Sequence, residues 1–184
     1  MFKIKKSKKL KIIELEKNNM LLKSKNNTLI KEKNIILSNI DFIDKEICKS
    51  KLSKIYIVDN DIFIVHLFET RIYNYNSDIY VEVKILNQKI NKSITELYCE
   101  YDKRNRSIWV ISIDTLNSYG NCGHGSRAIK MLIEYSKIIG VEKIKGELFL
   151  GSDFDKKLKN FYLKNGFNIK NSVFEKTLDC KKSL

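Results

Sequence analysis

Two short runs hold the residues best suited to chemistry. The first is Gly120-Asn121-Cys122-Gly123-His124-Gly125-Ser126-Arg127, which puts glycine at three of eight positions just where a helical pattern begins. Backbone N–H groups at a helix start lack intrahelical partners and carry the positive end of the helix dipole. Such a start grips phosphate. Glycine lets the backbone come close and take positive φ. Arg127 and Lys130, on the first turn, add charge. The second run is Phe161-Tyr162-Leu163-Lys164-Asn165-Gly166-Phe167, which closes a later helix and offers a phenol. Cys122 and His124 are two residues apart and suggest a thiol nucleophile. That chemistry needs a base held in reach by a third group, so both are read as incidental members of the loop.

The elements around these runs follow from periodicity. After about residue 54 apolar residues recur with period two, and residues 54–58, 62–70, 78–86, 93–101 and 107–114 read as strands. Val58-Asp59-Asn60-Asp61 and Asn74-Tyr75-Asn76-Ser77 supply turns. A helix is expected over residues 125–139, with Ala128, Met131, Leu132, Tyr135 and Ile139 on one face, ended by Gly140. A strand over residues 142–150, a helix over 155–164 stopped by Gly166, and a last strand over 171–178 complete the chain. Strands followed by strand–helix–strand–helix–strand give an α+β class, a mixed sheet flanked by helices.

In this order and spacing the two runs resemble those of the GNAT superfamily of N-acyltransferases. The family's pyrophosphate loop reads R/Q-x-x-G-x-G/A after an aromatic residue. Tyr119 holds the aromatic place and Gly123 and Gly125 the small ones, while Gly120 stands where the family has Arg or Gln. The family's F-Y-x-K-x-G-F signature is matched in full from Phe161 to Phe167. The likeness covers about residues 53–179. It implies an N-acetyltransferase that moves an acetyl group from acetyl-CoA to an amine, with a GNAT-like fold. It implies that N–H groups of Asn121, Cys122, Gly123, His124, Gly125 and Ser126 hold the pyrophosphate of CoA. The strand end at Ile113 and Thr115 would pair with the pantetheine arm. Tyr162 would be the general acid for the leaving thiolate, since a phenol pKa of about 10 lies near that of a thiol at about 8.5. The family often has Asn seven residues before this Tyr; here Asp155 stands there and would repel an anionic cofactor. Asp114, Glu100 and Glu147 are candidate bases, none assigned. The acceptor amine is not legible.

Residues 12–47 follow another rule. Ile12, Asn19, Asn26, Lys33, Ile40 and Ile47 recur every seven residues, and Leu15, Leu22, Leu29, Ile36 and Ile43 lie three further on. These are a and d positions of a heptad, and Leu at d with Asn at a suits a parallel two-stranded coil. The expected organisation is a basic N-terminal helix over residues 1–52, frayed over residues 1–11 and forming a homodimer through 12–47, then an acetyltransferase domain over 53–184.

The net charge of +13 is uneven: residues 1–54 carry 15 Lys against 6 acids, and residues 55–184 carry 20 Lys/Arg against 16 acids. A basic segment of this kind suits nucleic acid or simply a solvated helix face. Two alternatives therefore stand beside the enzyme: a catalytically degenerate fold acting as a scaffold through its coil, and a basic-tailed nucleic-acid-binding protein. Gly123-x-Gly125-x-x-Ala128 also fits a dinucleotide fingerprint, but the acid needed about 20 residues on is missing. The isolated cysteines Cys48, Cys99, Cys122 and Cys180 show no metal-ligand spacing and suit a reducing cytoplasm. No metal and no membrane contact are expected. The longest apolar run, around residues 62–68, is far short of the roughly 20 residues of a membrane span.

Overall fold

The computed structural model describes the backbone of residues 2–58, 61–71, 79–148 and 153–179, and the side chains of residues 14–58, 61–70, 79–148 and 156–179. The chain divides into two compact units, Met1–Asp44 and Lys45–Leu184. The division falls earlier than the boundary read from the sequence. The segment after Asp44 belongs to the second unit because Ser50 and Ser53 close on the buried His66, at 2.9 and 3.0 Å from its Nδ1.

The first unit is helical. Helix α1, Phe2–Ile47, runs for 46 residues without Gly or Pro, about 69 Å at 1.5 Å per residue. The backbone is helical from Phe2, through the stretch where fraying is expected. Lysine is a good helix former, and no breaker stands in that stretch.

The second unit holds, among the described residues, one eight-stranded sheet in the order β1-β2-β3-β4-β5-β6-β8-β7. The strands are β1 Leu52–Val58, β2 Asp61–Arg71, β3 Ile79–Asn87, β4 Lys92–Asp102, β5 Ser107–Thr115, β6 Lys143–Glu147, β7 Asn168–Lys170 and β8 Val173–Thr177. The first five form an antiparallel meander. β6 then lies parallel to β5, which requires the crossover through helix α2, His124–Ile138. Helix α3, Asp153–Lys164, precedes the β7–β8 hairpin. This is the mixed, helix-flanked sheet expected. The last strand, expected over residues 171–178, is β8; the short β7 before it was not expected, and Asn171 and Ser172, both at positive φ, reverse the chain between the two. The predicted turn residues Asp59, Asn60 and 74–77, and the strand end Phe149-Leu150, lie outside the described residues.

α2 buries Ala128, Ile129, Met131, Leu132 and Tyr135, the 3–4 spacing that makes one apolar face. They meet Val81, Val83, Leu97, Ile108 and Val110 from the sheet. Each fully buried aliphatic side chain contributes about 1.5–3 kcal/mol, so Leu132→Ala in this layer costs about 2–5 kcal/mol. Val141 N–H bonds Ser136 O at 2.8 Å while Gly140 takes φ +74°, closing α2 where the sequence placed its end.

Candidate functional site

The site begins as a fork in the sheet. The β5–β6 ladder joins Ser107 to Lys143 and stops at Val110 opposite Gly146, yet β5 continues to Thr115. The register on β4 slips between Tyr98 and Cys99, so Ile111 is an extra residue in β5. Such a bulge bends its strand and sharpens the twist. Beyond it Ser112 to Thr115 pair with β4 alone, leaving a strand edge on the side of the fork. The Thr95 and Thr115 hydroxyls, 3.0 Å apart, fix the β4 and β5 ends together.

A 3-10 turn, Asn117–Tyr119, then leads into the glycine loop. Asn121 takes φ +60° and Gly123 φ +79°. This double reversal points the chain into α2. Gly123 caps the helix without any side-chain bond, and Arg127 N–H is the first to close a turn, onto Gly123 O at 3.1 Å. The N–H groups of Gly123, His124, Gly125 and Ser126 therefore find no backbone acceptor among the described residues. They face a cleft of about 440 Å³ whose wall also includes Thr115, Asn121, Phe161, Lys157, Asn160 and Lys164. Gly125 is held small by its neighbours: a Cβ there would stand 3.2 Å from Phe161 Cε2 and 3.5 Å from Ile113 Cδ1. Asn165 donates to Ser126 Oγ at 3.2 Å and Phe161 O at 2.8 Å, tying the end of α3 to the first turn of α2.

The loop is braced from behind. His124 turns its ring inward, 2 % exposed, packed on Phe63 at 4.8 Å, with Nδ1 2.7 Å from Tyr56 Oη. Burial, and then the Arg127 charge, lower the His124 pKa. Burial raises that of Tyr56, against the pull of Arg127. A neutral imidazole thus accepts from a phenol that keeps its proton. The Arg127 guanidinium lies over the Tyr56 ring, 4.4 Å from its centroid, and donates to Cys122 O at 3.1 Å. Arg127 thus braces the loop from inside the helix.

Of the residues singled out in the sequence, Thr115, Asn121, Gly123, His124, Gly125 and Ser126 come together in the cleft wall. Cys122 is exposed, with Sγ turned to Gly120 O, and Ile113 packs beneath Gly125. Tyr162 stands behind the wall, 2 % exposed, stacked on Phe174 at 3.6 Å and edge-on to Phe161 and Phe167. Burial raises its pKa, and the Cys99 side chain adds to the rise. Asp114, Glu100 and Glu147 do not line the cleft. The Asp155 side chain lies outside the described ones. The sequence reading missed Tyr56, Lys157 and Asn160. Lys157 and Asn160 stand five and two residues before Tyr162 on the same helix but read as a solvated face, and Tyr56 had no signal. No group of three or more His, Cys, Asp or Glu among the described residues has the geometry to hold a metal ion. No helix among them is long and apolar enough to cross a membrane.

No protein-family profile and no curated protein matches this chain. Solved structures do match in part. A GNAT-family acetyltransferase from Staphylococcus aureus is 14 % identical, covering 54 % of this chain and 68 % of its own, with a TM-score of 0.46. GCN5 from Tetrahymena is 16 % identical over 55 % of this chain and 69 % of its own, at 0.46. An N-acetyltransferase from Thermoplasma acidophilum, solved in complex with coenzyme A, is 13 % identical over 54 % of this chain and 61 % of its own, at 0.46. At these identities they are likenesses of fold alone.

Proposed function

We propose that this chain is an N-acetyltransferase that moves an acetyl group from acetyl-CoA to an amine. One observation carries the reading. The unpartnered N–H groups of Gly123 to Ser126 open onto the same cleft that the unpaired edge of β5 approaches. A diphosphate suits the first and an amide-bearing arm suits the second. Lys157 and Lys164 add positive charge to the wall, and Gly123 and Gly125 keep the backbone approachable. The residues present thus fit CoA.

Bound acetyl-CoA supplies a thioester carbonyl open to attack by an amine. The new N–C bond replaces the C–S bond, and the proton lost by the amine balances the one gained by sulfur. In this reading the backbone edges at Ile113 and Thr115 align the arm, and the α2 start fixes the diphosphate. Tyr162 is the O–H donor to the departing sulfur. Its burial supports a phenol that stays protonated at neutral pH. The same burial makes it a weaker acid than a free phenol, so the donor role depends on a sulfur desolvated in the same fork.

Calorimetric titration with acetyl-CoA tests the reading, followed by thiol release against a panel of small amines and lysine peptides. Saturable heat followed by amine-dependent thiol release is expected. Absence of any heat would reject it.

A further inference from the structure

Helix α1 carries apolar side chains that its own unit leaves in solvent. The d positions Leu22 and Leu29 are 62 % and 60 % exposed, and Leu15 and Ile36 similarly so. Ile30 and Leu37, both at e, are also exposed. An apolar seam of this length on a helix needs cover. The charge pattern beside the seam says what covers it.

The two flanks differ. On the g flank stand Asn18, Lys25, Glu32 and Asn39; on the e flank, Glu16, Lys23, Ile30 and Leu37. In a parallel pair g faces e, which sets Lys25 against Ile30 and Glu32 against Leu37 of the other chain. It also stacks Lys33 on Lys33 in the core, since equal a positions meet. In an antiparallel pair g faces g and e faces e. With Ile12 opposite Ile43 of the second copy, Asn19 falls opposite Ile36, Asn26 opposite Leu29, Lys33 opposite Leu22 and Ile40 opposite Leu15. Lys25 then comes within two residues, about 3 Å along the axis, of Glu32 of the other chain, and does so twice by symmetry. On the e flank this register sets Lys23 against Ile30 and Glu16 against Leu37 of the other chain, so these two apolar residues meet the stem of a charged side chain in either sense, and the g flank and Lys33 decide between the two. The matched Asn pairs of the parallel form are lost, but the two Asn26 residues fall in adjacent central layers about 4.5 Å apart along the axis, near enough to bond each other.

We propose that α1 pairs with α1 of a second copy of this chain in the antiparallel sense, in the register that brings Lys25 of each copy to Glu32 of the other. This revises the parallel expectation drawn from the Asn residues at a, and it does not depend on acyl transfer.

Disulfide trapping in the full chain tests it, with Cys48, Cys122 and Cys180 changed to Ser. An equimolar mixture of the Asn19→Cys and Ile36→Cys variants should give the mixed disulfide on oxidation, and Asn19→Cys alone should give none. Efficient trapping of Asn19→Cys with itself would overturn the antiparallel sense, and a monomer in light scattering would overturn the pairing altogether. Charge reversal is the second arm. Lys25→Glu or Glu32→Lys alone should weaken the dimer about tenfold, as two cross-helix pairs turn repulsive. The two together should restore it. Singles that leave the dimer unchanged would sink the register.

Discussion

Tyr56 Oη stands 2.7 Å from His124 Nδ1, across 68 residues of sequence. The bond joins the first strand of the sheet to the first residue of α2, the helix whose opening turn faces the cleft. Tyr56→Phe keeps the ring stacked on Phe63 and leaves the buried His124 nitrogen without its donor. A buried polar group so orphaned costs about 1–3 kcal/mol. Chemical denaturation should show that loss, together with weaker acetyl-CoA binding. Unchanged values on both counts would mean that the loop does not need this brace.

Arg127 acts on the loop from the other side. Arg127→Met keeps much of the apolar stem and removes both the bond to Cys122 O and the guanidinium over Tyr56. Affinity for acetyl-CoA should fall about tenfold, the worth of one charged hydrogen bond. Arg127→Lys should not restore it, since one ammonium cannot both stack flat and reach the carbonyl. A lysine variant that binds normally would show that only the charge matters.

Gly123 sits at φ +79°, where a side chain costs about 1–2 kcal/mol. Gly123→Glu should fold, lose that stability and bind no acetyl-CoA, because its side chain would start 3.1 Å from Arg127 Nη1, disturb the guanidinium that braces the loop and add negative charge to the cleft wall. Gly123→Ala pays the same backbone strain without the charge and should retain part of the affinity. Calorimetry on both separates strain from repulsion; equal affinities would place the diphosphate elsewhere.

The phenol of Tyr162 can be removed alone. Tyr162→Phe preserves the stack on Phe174 and deletes the O–H. Turnover should drop about a hundredfold or more, the usual scale for general-acid catalysis, with acetyl-CoA affinity unchanged. Turnover equal to the parent would assign Tyr162 to the core and nothing else.

His66 and His124 are both buried, and burial lowers the pKa of each. The sign follows from proton counting. The unfolded chain protonates these rings near pH 6.5 while the folded chain resists until a lower pH. The stability they contribute is present above about pH 6.5 and is lost as pH falls toward the folded pKa. Tm should therefore decline between pH 7.5 and 5.5, and more gently in His124→Gln than in the parent. An identical decline in both would remove His124 from the account.

The glycine loop was legible because a backbone requirement selects a residue type: Gly123 and Gly140 both take positive φ where the sequence put a turn. The helix face of α2 was legible because burial imposes spacing. The brace behind the loop was not. Tyr56 and His124 share no periodicity, and their bond depends on how α2 packs against the β1 end of the meander. The β7–β8 turn escaped because Asn171 and Ser172 take positive φ without glycine. Lys157 and Asn160 looked like an ordinary solvated helix face, and only the position of α3 beside the loop gives them another use.

Gly146 stands at the apex of the fork, where an added Cβ would come within 2.3 Å of Phe174 Cζ and 2.8 Å of Val110 O. Phe174 in turn is the ring on which Tyr162 rests. A single methyl at residue 146 would therefore act as a lever: it would push one aromatic plate, and that plate would swing the phenol, with no contact between the altered residue and the group it moves.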